Sequence, residues 1–196
     1  MSTSLSFDPA RSAVLSMDLQ AGIVSIYAKD QAGALMERVA GVLQRARSAG
    51  MAVIHVQFGF RPNLPEVSPR NTLLSAIKAS PEHQRLFTGA TGAIHPAVAP
   101  EEGDIVITKH RVSAFTGTDL DMILRANEID TLILFGIATS GVVLSTLLHA
   151  SDADYRLFVL KDCCVDLDQD VHDCLGEKFF PRRATVVSAS EFLAGQ

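Results

Sequence analysis

The chain has few cysteines, no long apolar run and no cluster of basic residues. Its three cysteines, Cys163, Cys164 and Cys174, are an odd number and two are adjacent, which argues against a disulfide framework. No apolar run approaches the roughly 18 residues of a membrane-spanning helix, and the first residues lack the basic and apolar regions of a signal peptide. These features predict a soluble, cytoplasmic protein with reduced thiols.

The charge and composition of the chain favour one globular domain that acts on a small molecule. The net charge is −5, and the lysines and arginines are scattered, which argues against a nucleic-acid partner. With 196 residues, of which 47% are hydrophobic, the chain can bury one core, and neither a composition shift nor an internal repeat suggests a second domain. We therefore expect a single domain over residues 1–196, with no membrane partner.

Short apolar segments alternate with segments of helical periodicity along most of the chain. This alternation predicts an α/β fold, a three-layer α/β/α domain with a doubly wound, mainly parallel sheet of five to six strands. Residues 81–100 show neither pattern and are expected to be irregular. The expected strands are 12–18, 51–58, 104–109, 131–135, 156–160 and 184–188, and the expected helices are 31–50, 71–79, 118–126, 140–152 and 168–178.

Two of the predicted strands end on a charged residue, Asp18 and Lys109. A charge at the end of an apolar strand is expensive to desolvate unless an opposite charge or a ligand meets it. We therefore expect the two side chains to be partners in a site. The alternative for Asp18 is that it caps a turn or pairs with another nearby cation.

The stretch from Asp130 to Thr146 is the candidate floor of that site. Its first half is an unbroken apolar run, and small residues from Gly136 to Gly141 lead from it into a helical pattern. A strand that passes into a helix in this way presents backbone N–H groups at the edge of the sheet where open α/β proteins bind ligands.

Three motifs occur in order, each at a predicted strand end. They are D-L-Q at 18–20, T-K-H-R-V-S-A-F at 108–115 and G-I-A-T-S-G-V-V-L-S-T at 136–146. Together they resemble the isochorismatase-like cysteine hydrolase family over nearly the whole chain. The resemblance implies a hydrolase with an Asp–Lys–Cys triad, in which aspartate activates the thiol, lysine stabilises charge and backbone amides bind an oxyanion.

Transferred to this sequence, the resemblance assigns the aspartate to Asp18 and the lysine to Lys109. The peptide bond between Ile137 and Ala138 matches the family's non-proline cis bond, and the amides of Ala138 and residue 142 match its oxyanion site. The nucleophile position is Val142, which has no lone pair to attack with, so the covalent thioester route is closed there. The remaining residues expected to bind substrate are Gln20, Arg111, Phe115, Ile137 and Gly141.

The loss of the cysteine leaves two functional hypotheses open. The first is a hydrolase without a protein nucleophile, because true isochorismatases also lack the cysteine and cleave a vinyl ether with the aspartate as general acid. Asp18 would act similarly if an apolar pocket of Leu19, Phe115 and Val142 raised its pKa. The second is a non-catalytic small-molecule-binding or scaffold protein that lost its chemistry with the cysteine.

Other residues offer weaker candidates for the chemistry. Cys163 or Cys164 would have to approach Asp18 to replace the nucleophile, and the alternative is that both are buried, inert thiols. Arg111, Arg61 and Arg70 are candidates for holding substrate carboxylates, or they are solvated surface charges. The Asp-x-His spacing of metal-binding relatives is absent, so we expect no metal and no cofactor. The family resemblance also implies a homodimer or homotetramer.

Overall fold

A six-stranded parallel sheet forms the centre of the molecule. The structure, a computed structural model, describes residues 6–194. The strand order is β3-β2-β1-β4-β5-β6, and each neighbouring pair is parallel. This arrangement confirms the predicted doubly wound α/β fold. The strands are β1 (Ser12–Met17), β2 (Ala52–Phe58), β3 (Ile105–Lys109), β4 (Thr131–Ile137), β5 (Arg156–Val165) and β6 (Thr185–Val187).

Helices cover both faces of this sheet. Every residue of the central strands β1 and β4 is buried, as expected for parallel strands between two helical layers. Among residues 6–194, no helix is long and apolar enough to cross a membrane. The helices are α1 (Ala21–Tyr27), α2 (Ala32–Ser48), α3 (Thr72–Ala79), α4 (Pro81–Arg85), α5 (Gly89–Gly92), α6 (Leu120–Ala126), α7 (Leu144–Asp152), α8 (Gln169–Cys174) and α9 (Ala189–Ala194).

The structure corrects three of the predicted segments. Helix α1 follows the first motif directly and was missed, because its seven residues are too few to show a clear period. The segment 81–100 is not irregular throughout, since it contains α4, α5 and a 3-10 turn at Pro96–Val98. Strand β5 runs five residues beyond Leu160, because Lys161 and Asp162 interrupt its apolar pattern without ending its pairing with β4.

A small second core lies beside the main one, over the carboxyl ends of β2 and β3. Its buried members are Phe58, Val67 and Leu74, and the partly buried rings of Phe60 and Phe87 pack against them. The ring centroids of Phe58 and Phe87 are 5.3 Å apart. This cluster fixes α3 above the strand ends and so forms a roof over the edge where the motifs meet.

Gly136 allows β1 and β4 to approach closely just before the proposed floor of the site. Its φ is 146°, and a Cβ at this position would overlap the carbonyl oxygen of Met17 on β1. We expect Gly136→Ala to lower the free energy of unfolding by about 3 kcal/mol or more, because both the backbone conformation and the strand contact would have to change.

The matched control is Gly41→Ala in the interior of α2, where an added Cβ meets no atom of the described residues within 4 Å. That change should raise the free energy of unfolding by roughly 0.5–1 kcal/mol, because alanine is the better helix former. Urea unfolding of both variants provides the measurement. Equal stability of Gly136→Ala and the unmutated chain would contradict the close approach.

Candidate active site

Asp18 and Lys109 form a buried ion pair at the carboxyl edge of the sheet. Asp18 follows β1 with a φ of 55°, and Lys109 is the last residue of β3, so the two reach toward each other across the end of β2. The distance between Asp18 Oδ2 and Lys109 Nζ is 2.8 Å. The structure therefore brings together the two charges that the sequence places at strand ends.

Burial dominates the electrostatics of this pair. Lys109 is 1% exposed and Asp18 is 8% exposed. Loss of hydration raises the pKa of the Asp18 carboxyl above its ordinary value, although the positive charge of Lys109 opposes the shift. Burial also disfavours the charged form of Lys109 and therefore lowers its pKa. Asp18 therefore takes up a proton at a higher pH than an ordinary aspartate does.

Lys109 and Asp18 differ in the hydrogen bonds that their side chains form besides the ion pair. Lys109 Nζ also donates to the carbonyl oxygen of Arg111 at 3.2 Å and stands 4.4 Å from the ring centroid of Phe58. Asp18 Oδ1, in contrast, is buried and has no hydrogen-bond partner among the described residues. One oxygen of the carboxyl group is thus held by lysine, and the other is left for a ligand or water.

The floor of the site is the turn that joins β4 to α7. The Ile137–Ala138 peptide bond is cis, as the resemblance implies, and a single π-helical turn over Thr139–Val143 leads into α7. Two side chains that follow β5 in the chain, those of Asp166 and His172, form hydrogen bonds with this turn. Thr139 Oγ1 lies 2.7 Å from His172 Nδ1, and the Ser140 amide donates to Asp166 Oδ2 at 2.7 Å.

A cavity of about 150 Å³ lies above this floor, and we call it the Asp18 cavity. Asp18 and Lys109 line it from one side, and Ile137, Ala138, Gly141 and Val142 line it from the floor. Its remaining walls are mainly apolar side chains from β2, α1 and the segment 73–87, among them Ile23, Phe58, Leu73, Leu74, Ile77 and Phe87.

Gln20 does not line the Asp18 cavity, although the sequence analysis assigns it to substrate binding. Its side chain is fully buried, and its Nε2 donates to the carbonyl oxygens of Phe58 at 3.0 Å and Gly92 at 2.6 Å. Its Oε1 accepts from the Phe58 amide at 2.7 Å. With its amide occupied by backbone, Gln20 supports the end of β2 from below the site.

Arg111 and Phe115 also lie outside the cavity lining. The Arg111 guanidinium donates to the carbonyl oxygens of His110 at 2.6 Å and Glu66 at 3.0 Å, so it fastens the loop 59–69. Phe115 is buried and stacks on the ring of His149, with centroids 4.5 Å apart. Of the three apolar residues expected around Asp18, Val142 lines the Asp18 cavity, whereas Phe115 and Leu19 are not among its lining residues.

Cys163 and Cys164 lie near the carboxyl end of β5 and do not line the Asp18 cavity. Cys164 lines a larger cavity of about 400 Å³, together with Arg38 and Asp162, and that cavity contains neither Asp18 nor Lys109. Burial raises the pKa of the Cys164 thiol to about 12 and raises that of Cys163 as well. Both thiols stay protonated at neutral pH, which favours the inert alternative over a substitute nucleophile.

Several cavity residues were not identified from the sequence. Tyr27 and Ile23 belong to the short helix α1, which the sequence analysis missed. The apolar face of α3 was visible as Leu73, Leu74 and Ile77, but an apolar helix face does not reveal which surface it covers. Among residues 6–194, no group of three His, Cys, Asp or Glu side chains is arranged to hold a metal ion.

Comparisons with known proteins identify the family of the chain. The sequence model of the Isochorismatase domain matches residues 12–191. A ureidoacrylate amidohydrolase (RutB) of Methylorubrum extorquens is 39% identical over 140 residues, covering 66% of this chain and 56% of that relative. An uncharacterized isochorismatase family protein of Bacillus subtilis, YwoC, is 30% identical and 98% of each chain is covered.

The solved structures point to the same fold. An isochorismatase family protein from Burkholderia thailandensis superposes with a TM-score of 0.85 at 29% identity, over 97% of each chain. Because the domain match spans most of the chain and the fold agrees along its length, the chain belongs to the isochorismatase family.

Proposed function

We propose that the chain hydrolyses a small molecule without a protein nucleophile, with Asp18 as general acid and base and Lys109 as its electrostatic partner. The observation that carries this proposal is Asp18 Oδ1, which has no hydrogen-bond partner within residues 6–194 and belongs to a carboxyl group whose pKa is raised by burial. A carboxyl group that is protonated at a higher pH than usual is suited to proton donation near neutral pH.

The reaction that fits this site best is the cleavage of a vinyl ether. The Asp18 carboxyl group donates its proton to the terminal vinyl carbon, which leaves an oxocarbenium-like carbon beside the ether oxygen. Water adds to that carbon and gives a proton back to the Asp18 carboxylate. The resulting hemiketal separates into a ketone and an alcohol, so no bond to the protein forms at any step.

Lys109 and the floor support the same sequence of events. The positive charge of Lys109 stabilises the Asp18 carboxylate that remains after proton donation, 2.8 Å away. Ala138 and Val142 lie where the chain enters the helical segment, and backbone N–H groups at a helix start lack intrahelical partners. We assign these amides to the water or the substrate oxygen, with Ile137 and Gly141 shaping the same surface.

Val142 is the residue that decides between this reaction and the thiol-dependent chemistry of the family. It is 2% exposed and lines the Asp18 cavity at the position that the resemblance gives to the cysteine. The name of the relative from Methylorubrum extorquens describes an amidohydrolase. Amide hydrolysis through a thioester requires a nucleophile that this position does not provide.

The same residue favours a second candidate function. A buried valine in the nucleophile slot leaves the cavity, the ion pair and the floor intact, so the chain retains what it needs to bind a small molecule. A non-catalytic binding or scaffold protein would have this combination. Turnover of a substrate distinguishes the two candidates, because the hydrolase requires it and the binding or scaffold protein does not.

Replacing Val142 by cysteine tests whether the site lacks only its nucleophile. We expect Val142→Cys to hydrolyse small amides about 10²-fold faster than the unmutated chain, because Asp18 and Lys109 would activate the thiol. Ammonia release from a panel of amides is the measurement. The control is Val112→Cys, which places a thiol in the same cavity away from the floor.

The unmutated chain is tested in parallel on vinyl ethers, with ketone formation as the readout. Turnover of a vinyl ether would rule out the non-catalytic alternative. Amide hydrolysis by Val142→Cys, combined with no turnover of any vinyl ether by the unmutated chain, would instead support a binding protein. Equal amide hydrolysis by both cysteine variants would contradict the assignment of position 142.

A further inference from the structure

We propose that the natural ligand of the Asp18 cavity is an uncharged, mainly apolar molecule about the size of one six-membered ring. This inference rests on the proposed function, because it names the substrate class of the same site. The polar atoms of such a ligand would be concentrated at one end, where the reacting group meets the Asp18–Lys109 pair.

The walls of the cavity support an apolar ligand. Phe58 and Phe87 present aromatic rings, and Leu74 and Ile77 of α3 face the same space. Within residues 6–194, the only polar side chains in the lining are those of Asp18, Tyr27 and Lys109. Burial raises the pKa of the Tyr27 hydroxyl, which therefore stays neutral at pH 7. Such walls stabilise a ligand by removing apolar surface from water.

The charges of the cavity argue against an anionic ligand. Lys109 is the one cation among the described lining residues, and Asp18 already neutralises it at 2.8 Å. While Asp18 is ionised, a substrate carboxylate would therefore enter an apolar space beside a second carboxylate without a free counter-ion. The arginine expected to hold such a group, Arg111, donates instead to two backbone carbonyl oxygens.

The volume of the Asp18 cavity matches a ligand the size of one ring. An apolar cavity of about 150 Å³ in another protein accepts benzene, and the Asp18 cavity has a volume of about 150 Å³. A single ring with one small substituent fits this space when part of the substituent extends to the ion pair. Benzamide and benzoate are therefore suitable probes, because they share shape and differ in charge.

The first measurement is the binding of benzamide and benzoate to the full chain at pH 7, by calorimetry or ligand-observed NMR. We expect benzamide to bind at least about tenfold more tightly than benzoate, because only benzoate brings a second negative charge beside Asp18. Equal or tighter binding of benzoate would overturn the inference. Failure of benzamide and cyclohexanecarboxamide to bind at all would overturn it as well.

The second measurement adds a cation at the rim of the cavity. Leu73 lines the cavity and is 57% exposed, so Leu73→Arg should be tolerated. The added cation should reduce the ratio of benzamide affinity to benzoate affinity by about tenfold. Met122 on α6 is 65% exposed and lies outside the lining, so Met122→Arg changes the net charge equally and should leave the preference unchanged. Equal effects of the two variants would contradict the inference.

These measurements record binding and are independent of turnover. If benzamide is preferred and no compound is hydrolysed, the ligand class stands and the proposed reaction fails. If an anionic compound is hydrolysed and benzamide does not bind, the reaction stands and the ligand class fails.

Discussion

Asp18→Asn is expected to lower kcat/KM for any substrate of the chain by about 10²–10⁴-fold, the range that a positioned acid or base contributes. Asparagine keeps the shape of the side chain and a hydrogen-bond acceptor for Lys109, but it cannot give up or take a proton in the reaction. The effect should appear in kcat more than in KM, because the proton moves only in the transition state.

The matched control for this variant is Asp121→Asn. Asp121 lies on α6, where it pairs with Arg125 on the exposed face, outside the Asp18 cavity. We expect its kcat/KM to equal that of the unmutated chain. Full activity of Asp18→Asn, measured with any hydrolysed substrate, would refute the mechanism, whatever the substrate is.

Lys109→Met is expected to lower the free energy of unfolding at pH 7 by about 3–5 kcal/mol, because it leaves the buried Asp18 carboxylate without its counter-ion. Methionine fills most of the space of the lysine stem. The variant therefore tests the loss of the positive charge without creating a large cavity. The double variant Asp18→Asn/Lys109→Met should recover most of the loss, since no buried charge remains. Urea unfolding of the two single variants and the double variant measures the coupling.

The loss should also depend on pH in a defined direction. Burial already raises the folded-state pKa of Asp18 above its unfolded value, and removal of Lys109 raises it further. A group with a raised folded-state pKa contributes stability below its unfolded pKa and loses that contribution as the pH rises through the folded pKa. The destabilisation by Lys109→Met should therefore be small near pH 4 and grow toward neutral pH. A loss independent of pH would indicate a packing defect.

The sheet and the ion pair could be predicted from the sequence because both depend on simple repeating features. Apolar runs identified all six strands, and the carboxyl ends of parallel strands lie on one edge, so Asp18 and Lys109 were expected on the same edge of the sheet. The candidate floor between Asp130 and Thr146 was proposed because small residues follow an apolar strand there, and the family resemblance singled out Ile137 and Ala138 within it. These inferences use the chain direction and need no knowledge of side-chain contacts.

The walls of the cavity could not be predicted in this way, because they depend on which surfaces meet in three dimensions. Gln20 and Arg111 were assigned to the substrate, yet each donates a side-chain hydrogen bond to a backbone carbonyl oxygen far away in the chain, that of Gly92 for Gln20 and that of Glu66 for Arg111. Phe115 points to His149, a contact that no sequence pattern marks. The homodimer or homotetramer implied by the resemblance remains a prediction.

The buried side-chain amide of Gln20 connects two segments near the Asp18 cavity. It bonds to the end of β2 and to Gly92, while the His95 amide bonds to the carbonyl oxygen of Leu19 at 2.8 Å. Residues 92–95 are therefore tied to the strand edge that carries Asp18 and cannot retreat without breaking buried hydrogen bonds. The wall formed by Leu73, Leu74 and Ile77 of α3 lies outside this set of hydrogen bonds, so we expect a ligand to enter by movement of α3 while the edge that carries Asp18 stays in place.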